Sequence, residues 1–261
     1  MESWRSAITN AEGNRIIVRG HDLVTLMQHG TYADVVALLI GGHKPDEGER
    51  RLIDAMLVAV ADHGAGSPSA ATARMAATGN RQAPEAAVAA GILAIGDAHA
   101  GAGMACMTVI SGALERAARE SRPLADIARA IALDVHAAGG RLPGLGHRVH
   151  QQDPRTTVLF AMAEHYGKAG QGVAFMRALE SAAAQTIKPL PINIDGAIAA
   201  VLHDLGYPAA AAKLIFIIGR TAGLAAQVME EYTRERPMRV RIPVVYDGPP
   251  AVESPIEEVQ R

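Results

Sequence analysis

Apolar residues recur at helical spacing in successive runs along most of this chain, and glycine or proline lies between the runs. The runs lie at residues 35–40, 52–60, 84–95, 104–118, 123–138, 156–166, 173–186, 197–205 and 209–232. Hydrophobic residues make up 49% of the chain but aromatic residues only 3%, so the interior must be filled mainly by Ala, Leu, Val, Ile and the 10 Met. Such side chains suit closely approaching helices, and the pattern therefore predicts an all-α fold.

Strand signals are few. Residues 6–19 place β-branched residues on either side of the turn signal Glu12-Gly-Asn14, which is typical of a short β-hairpin. Residues 240–246, Val-Arg-Ile-Pro-Val-Val-Tyr, also have strand character, and we expect a frayed tail from Pro249 onward. We therefore expect a short N-terminal hairpin beside a mainly helical body.

Charge and cysteine usage narrow the class of protein. The net charge is −2, the sequence pI is near 6.6, and Lys and Arg form no basic run, so neither nucleic acid nor an anionic membrane is an expected partner. The longest apolar runs are broken by Asp, His, Gly or Arg, so no membrane span is expected. With a single cysteine, Cys106, and no signal pattern in the first 20 residues, we expect a cytoplasmic protein with small-molecule partners.

Residues that could act in catalysis or bind an anion are most frequent in one loop, Leu142-Pro-Gly-Leu-Gly-His-Arg-Val-His-Gln-Gln-Asp-Pro-Arg155. Glycines at 144 and 146 allow the backbone to approach a ligand closely and leave His147 at the tip. Arg148 and Arg155 add charges whose geometry matches carboxylate or phosphate. Residue types alone leave two interpretations open: an anion-binding catalytic loop, or a glycine-rich connection with a surface histidine.

Four further residues could act at a site, and each has a plainer explanation. His63 follows a helix and could simply interact with the helix dipole. His99 lies among small residues, where packing explains it about equally well. Asp195 precedes an apolar helix and could be its N-cap. Arg220 lies in an apolar helix, where it would be buried and unpaired unless an anion meets it.

Taken together, these segments resemble the citrate synthase family in order and approximate spacing over most of the chain. The matching segments are Arg19-Gly-His-Asp-Leu23, residues 35–45, Ala61-Asp-His63, Thr72-Ala-Arg74, residues 96–103, Pro143-Gly-Leu-Gly-His147, Asp153-Pro-Arg155, Asn193-Ile-Asp195, Arg220-Thr-Ala-Gly223 and Arg236-Pro237. The resemblance implies a helical fold with a large-domain part at about 1–140 and 210–261 and a small-domain part at about 141–209, within one citrate synthase-like domain over 1–261.

The resemblance also implies a set of site residues. His99, His147 and Asp195 would form the catalytic trio, with Asp195 as the base at the acetyl-CoA methyl, His99 as the donor to the thioester oxygen, and His147 at the ketone of oxaloacetate. The carboxylates of oxaloacetate or citrate would be held by His63, Arg155, Arg220 and Arg236. Family members supply the last of these from the neighbouring subunit, so at least a homodimer is implied. Coenzyme A would contact Gly144, Leu145, Gly146 and Arg148, as a thioester substrate and not as a permanently bound cofactor.

Two departures bear on the reaction. Sixteen residues separate Pro45 from Asp62, where full-length citrate synthases carry a much longer helical region, and this short architecture resembles citryl-CoA lyase. Yet His99 is synthase-like, because the lyase module of ATP-citrate lyase lacks it, and Gly103 replaces the family's Asn. The resemblance therefore implies cleavage of citryl-CoA, or a close analogue, to acetyl-CoA and oxaloacetate. The alternative is citrate synthase-type condensation of acetyl-CoA with oxaloacetate or a related keto acid.

Three further expectations accompany this prediction. A standalone lyase needs citryl-CoA made elsewhere, so a citrate-CoA ligase partner is expected. A non-catalytic regulator that binds CoA or citrate is the alternative of another class. A metal site built from His63, His99, His147 and Asp195 is the remaining hypothesis; it is disfavoured because these residues include no helical His-x-x-x-His pair, and no metal is expected.

Overall fold

The computed structural model describes residues 3–96, 99, 101–146 and 152–250. In this part of the chain, helices dominate, as predicted: α1 Leu23–His29, α2 Tyr32–Gly41, α3 Glu47–Val60, α4 Pro68–Gly79, α5 Pro84–Leu93, α6 Ala102–Glu120, α7 Leu124–Ala137, α8 Pro154–His165, α9 Gln171–Thr186, α10 Ile194–Asp204 and α11 Ala210–Arg234. The all-α prediction is confirmed.

A small sheet begins the described chain. Strand β1, Thr9–Glu12, pairs antiparallel with β2, Arg15–Val18, and β3, His21–Asp22, adds to the other edge of β2. Gly13 takes a φ of +58° at the turn between β1 and β2, a conformation that glycine adopts without cost. The predicted hairpin is confirmed, and the third strand leads directly into α1.

Local sequence signals account for several helix ends. Thr31 and Asp34 form a reciprocal capping box at the start of α2, and Gly42 ends that helix in the left-handed region with φ +82°. Asp46 caps α3 by accepting from the Glu49 amide. Helices α1 and α4 were not predicted, because their short or alanine-rich sequences give little periodic apolar signal.

Helix α10 lies at the centre of the fold. It packs against α6, α8, α9 and α11, and every residue from Gly196 to Leu202 is buried. The surrounding core includes Met107, Ile110, Phe175 and Leu179, all 1% exposed or less. The first turn of α10, which carries Asp195, is therefore held on a rigid element.

Two glycines bring α11 into close contact with the end of α3. A Cβ atom at Gly219 would lie 2.6 Å from Val60 Cγ2, and one at Gly223 would lie 2.0 Å from Ala61 O. Only glycine permits this crossing, since real Cβ atoms do not approach so closely. The crossing places Arg220 of α11 against the carboxyl end of α3.

Helix α11 is the one described helix that is long and apolar enough, by length and composition alone, to cross a membrane. The core helix of a soluble protein passes the same test. Here α11 packs against α3, α4, α5 and α6 and carries the buried charged residues Arg220 and Glu231. Its buried apolar residues, which include Ile215, Phe216 and Leu224, belong to the protein core, while Leu214 and Met229 are exposed.

The strand character of residues 240–246 was misleading. This segment has no regular secondary structure and forms no strand among the described residues, and Ile242, Val244, Val245 and Tyr246 are exposed. A β-rich composition predicts a strand only where another strand is available to pair with it, and none of the described strands reaches this segment.

Candidate active site

The loop before His147 is fastened to the start of α10. Asn193 caps α10 by accepting from the Gly196 amide at 3.1 Å, donates its own amide to Gly144 O at 3.0 Å, and donates Nδ2 to Gly146 O at 2.9 Å. The Gly146 amide donates to Pro191 O at 2.7 Å. Asn193, and not Asp195, is the N-cap, so the carboxylate of Asp195 is not used to cap the helix.

Gly144, the first glycine of this loop, is required by close packing. From the sequence we expected its role to be close approach of the backbone to a ligand. Gly144 has a φ of +80°, and a Cβ atom there would lie 2.7 Å from both Cys106 Sγ and Gly196 Cα. A Cβ at Gly196 would lie 2.4 Å from Gly144 O. The loop and the helix therefore meet backbone to backbone, directly beside Asp195.

Asp195 has an unusual acidity. Burial raises the pKa of its carboxyl to about 6, against the opposing charges of Arg155 and Arg220, and the nearby carboxylate of Asp153 raises it further. Burial beside Asp195 also raises the pKa of the Cys106 thiol to about 12, so that thiol stays neutral. A carboxyl with a pKa near neutrality can both give and take a proton at physiological pH.

Arg155 is held by a buried carboxylate that the sequence analysis did not select. Asp153, 1% exposed, accepts from Arg155 Nε at 3.0 Å and from Nη2 at 2.8 Å, while Nη1 donates to Ala59 O at 3.2 Å. Asp153 also caps α8 and accepts from the Ile194 amide at 3.1 Å. Its place before Pro154, the first residue of α8, was the signal that could have marked it.

His99 is joined to Arg220 through a serine that the sequence analysis also missed. Ser69 Oγ lies 3.0 Å from His99 Nε2, the Ser69 amide donates to the same nitrogen at 3.3 Å, and Arg220 Nη1 donates to Ser69 Oγ at 3.1 Å. Because an amide N–H can only donate, Nε2 of neutral His99 is the acceptor and Nδ1 carries the proton. The geometry therefore makes Nδ1 of His99 a hydrogen-bond donor.

Arg220 is 3% exposed, and its side chain is oriented by neutral partners. Nε donates to Val60 O at 2.8 Å, Nη1 donates to Ser69, and the guanidinium stacks 4.9 Å from the centroid of the Phe216 ring. Burial lowers the pKa of this guanidinium, whereas Asp62 and Asp195 raise it through space. The sequence-based prediction of a buried arginine is confirmed, but its hydrogen bonds are satisfied in part by uncharged groups.

The other predicted site residues do not all lie close to Asp195 in the described part of the chain. His63 is exposed just beyond α3, and Arg236 is exposed just beyond α11. Leu145 forms a β-bridge with Ile192. His147 and Arg148 lie outside the described residues. Thus Asp195, Arg155 and Arg220 come close enough to interact electrostatically, and Ser69 links His99 to Arg220.

Gly103, the departure from the family pattern, lies at a tight contact. A Cβ at this position would lie 3.1 Å from Ala212 Cβ and 3.9 Å from the carbonyl oxygen of Asp195. An Asn would therefore require α11 to shift. Support of His99 comes from Ser69 instead.

No group of three or more His, Cys, Asp or Glu side chains within the described ranges is arranged to hold a metal ion. His147, one of the four hypothesised ligands, lies outside those ranges. The contacts of His99, with a serine hydroxyl and an amide, are those of a hydrogen-bonding imidazole.

Comparison with known proteins adds a family to this geometry. The family model for the C-terminal domain of citrate synthase matches residues 41–241. The chain belongs to the citrate synthase family. The resemblance found in the motifs is therefore confirmed, and so is the citrate synthase-like helical fold.

Individual members of the citrate synthase family differ in length. The structure of citryl-CoA lyase from Hydrogenobacter thermophilus superposes with a TM-score of 0.87 at 35% identity, covering 97% of this chain and 98% of that one. Citrate synthase of Haloferax volcanii is 28% identical over 227 residues, 85% of this chain and 57% of the relative. The chain spans about half the length of the curated relatives it matches.

A third relative shares the fold inside a longer protein. ATP citrate lyase from Methanothrix soehngenii, solved with citrate and coenzyme A, has a TM-score of 0.78 at 20% identity, covering all of this chain and 43% of that one. At this identity the likeness concerns the fold alone. Members of this superfamily are enzymes, and family membership supports an enzymatic role for this chain.

Proposed function

We propose that this protein cleaves citryl-CoA, or a close analogue, to acetyl-CoA and oxaloacetate. The observation that carries the proposal is the end-to-end match with a citryl-CoA lyase, 97% of this chain against 98% of that one, whereas only about half of each curated citrate synthase relative is matched. The short architecture and the protonation behaviour of Asp195 support the same reaction.

In the cleavage reaction, His147 and Asp195 each transfer a proton and His99 donates a hydrogen bond. His147 takes the proton of the tertiary hydroxyl of citryl-CoA, and the resulting alkoxide collapses to the ketone of oxaloacetate as the carbon–carbon bond breaks. The bonding electrons form the enolate of acetyl-CoA, whose oxygen receives a hydrogen bond from Nδ1 of His99. Protonated Asp195 then gives its proton to the enolate carbon, which yields the methyl group of acetyl-CoA.

The pKa of Asp195 is suited to this direction. A carboxyl with an ordinary pKa near 4 would be almost entirely ionised at neutral pH, while a pKa of about 6 leaves a protonated fraction of about a tenth at pH 7. Burial, the first cause of the shift, therefore supplies the acid that cleavage requires.

Arginines are assigned to the acidic substrate. Arg155 and Arg220, with His63, bind carboxylates of citryl-CoA, each charge-assisted contact contributing roughly 1.5–3 kcal/mol. Arg236 completes the site of a second copy in a homodimer. The backbone of Gly144, Leu145 and Gly146, with Arg148, holds the CoA arm. Residues 141–209 are the proposed small-domain part, and residues 1–140 and 210–261 are the proposed large-domain part.

The cellular setting follows from the substrate. Citryl-CoA is a reactive thioester that a ligase must make from citrate and coenzyme A, so a citrate-CoA ligase is the proposed partner, in the cytoplasm. Coenzyme A enters and leaves as part of the substrate.

Condensation of acetyl-CoA with oxaloacetate is the second candidate. Two observations favour condensation. His99, which Ser69 supports, matches the synthase pattern, and the sequence of the chain is similar to those of curated citrate synthases. The same trio would act in reverse, with ionised Asp195 as the base, and a water would hydrolyse the thioester afterwards.

One experiment separates these candidates. The protein is incubated with citryl-CoA alone and with acetyl-CoA plus oxaloacetate, and thioester loss, free thiol and products are followed. Rapid cleavage without net citrate synthesis supports the lyase, and the reverse result supports the synthase. Inertness toward both, with CoA or citrate still bound, would favour a non-catalytic regulator.

A further inference from the structure

A buried carboxylate lies far from the candidate active site, near the end of α11. Glu231 is 0% exposed, and two guanidinium groups meet it. Arg239 donates Nε and Nη2 to its two oxygens at 2.8 and 2.7 Å, and Arg74 Nη2 lies 2.9 Å from Oε2. The arginine hydrogen bonds hold the pKa of Glu231 below its usual range, so the carboxylate stays charged. Nothing in the proposed reaction uses it.

The ion cluster fixes the turn that follows α11. Residue 239 is tied back to α11 by Glu231, the Met238 amide donates to Thr78 O of α4 at 2.9 Å, and Arg81 donates to Glu235 O. Met238 takes a φ of +54°, a left-handed conformation that a residue with a side chain adopts only where its surroundings impose it. The chain from 235 to 239 is therefore anchored on both sides.

Between these anchors the turn presents Arg236, which is exposed. Residues 220 and 234 are separated by about 21 Å along α11, at the 1.5 Å rise per residue of a helix. Val60 and Ser69 hold Arg220 in place near the other end of that span. The proposed function therefore assigns Arg236 to the active site of another copy.

We propose that the cluster of Glu231, Arg239 and Arg74 is a positioning device that holds Arg236 in place for the active site of a second copy of this chain. The proposal rests on the proposed function, in which Arg236 binds substrate across the dimer. A fixed backbone lowers the entropy lost when the arginine engages its carboxylate. These three residues touch no substrate and act through Arg236.

The device is also linked to the site of its own copy. Arg74 Nη1 donates to Gln227 Oε1 at 3.0 Å, and Gln227 Nε2 donates to the carboxylate of Asp62 at 3.3 Å. Asp62 favours the charged form of Arg220. Arg74 is thus linked through Glu231 to Arg239 of the turn, and through Gln227 to Asp62, which favours the charged form of Arg220.

The first test is kinetic. Arg239→Ala should raise the KM for citryl-CoA about tenfold and leave kcat within about twofold, because displacement of a binding group weakens ground-state and transition-state binding alike. Arg239→Lys, which keeps one contact with Glu231, should fall between. Arg234→Ala is the matched control, since Arg234 forms an exposed pair with Glu230 on the same helix, 3.5 Å apart, and does not hold the turn. An unchanged KM in folded Arg239→Ala overturns the proposal.

The second test determines whether Arg239→Ala affects the active site of its own chain or that of the other chain. Differently tagged Arg239→Ala and Asp195→Asn chains are co-expressed and the hybrid dimer is purified. Its working site has an intact Asp195 and receives Arg236 from the chain with the intact cluster, so KM should return to the wild-type value at half the turnover. A KM that stays raised in the hybrid would mean that the cluster acts within its own chain, and the proposal fails.

A third measurement does not depend on the reaction. Arg239→Ala should speed hydrogen exchange of the Met238 amide about tenfold or more, because local opening of the turn becomes easier. Unchanged exchange overturns the device. Arg236→Ala separates the two ideas: an unchanged KM in that variant removes the proposed role of Arg236, while a raised KM with a normal Arg239→Ala removes only the positioning device.

Discussion

Two carboxylates of this protein, Asp195 and Glu231, both lie near arginines, yet their pKa values are shifted in opposite directions. Arg155 and Arg220 act on Asp195 through space and are outweighed by burial, so its pKa rises to about 6. Arg239 and Arg74 donate hydrogen bonds directly to Glu231, and its pKa falls. The difference lies in contact: at the candidate active site the arginines donate to other acceptors, Asp153 and Ser69 among them, and act on the Asp195 carboxyl through space.

This comparison teaches how to tell a reactive carboxylate from a structural one. A carboxylate that accepts directly from guanidinium groups is satisfied and inert, whereas one that is surrounded by charge but left without those hydrogen bonds keeps its ability to exchange a proton. Each prediction below tests one side of that contrast.

The largest expected effect is on the reactive side. Asp195→Asn should lower kcat about a thousandfold, since the amide cannot exchange the proton. Steady-state rates with citryl-CoA measure this. Asp126→Asn, a change of an exposed acid in the first turn of α7, is the matched control and should leave the rate unchanged. A loss smaller than about tenfold would remove Asp195 from the chemistry.

The next effect concerns the support of His99. Ser69→Ala should lower kcat by roughly ten- to a hundredfold with a smaller change in KM, because the hydroxyl that orients Nε2 and links it to Arg220 is lost. Ser69→Thr keeps the hydroxyl and should recover part of the rate if the methyl group is accommodated. Equal activity of Ser69→Ala and the wild type would contradict the proposed role of the Ser69 hydroxyl in orienting His99.

The pH dependence gives the third effect. The rate of cleavage should fall as pH rises above about 6, by up to about tenfold per unit, because Asp195 must be protonated to act as the acid. The condensation rate should rise through the same pKa, because there the ionised form is the base. Profiles of kcat/KM in both directions measure this. An inflection near 4 would mean that the pKa of Asp195 is not raised.

The smallest effect is on stability, and its sign should differ between the two carboxylates. The folded-state pKa of Asp195 is raised, so ionisation above about pH 6 destabilises the fold, and Asp195→Asn should raise the free energy of unfolding at pH 8 by roughly 1–2 kcal/mol. Glu231 has a lowered pKa, so its contribution is present above its unfolded-state pKa and is lost as pH falls through the folded one.

Removal of Glu231 should therefore act in the opposite sense. Glu231→Gln should lower the free energy of unfolding at pH 8 by roughly 2 kcal/mol or more, because two guanidinium groups lose a charged acceptor. Denaturant unfolding of both variants at pH 8 makes the measurement. If both changes stabilise, or both destabilise, the contrast between the two carboxylates is wrong.

Much of this molecule could be predicted from residue order alone. Periodic apolar runs gave most of the helices, the capping box at Thr31 gave the start of α2, and the turn signal at Gly13 gave the hairpin. Motif order gave the family. These signals succeed because helix period, capping and turn chemistry depend on neighbours within a few residues.

Tertiary structure alone decided the rest. Ser69 and Asp153 became visible as site residues only when folding placed them against His99, Arg220 and Arg155, as far as 151 positions away in the chain. Residues 240–246 had the composition of a strand but found no strand to pair with. The acidity of Asp195 depends on burial and on charges from other helices, which no local pattern contains, so only the folded chain could determine it.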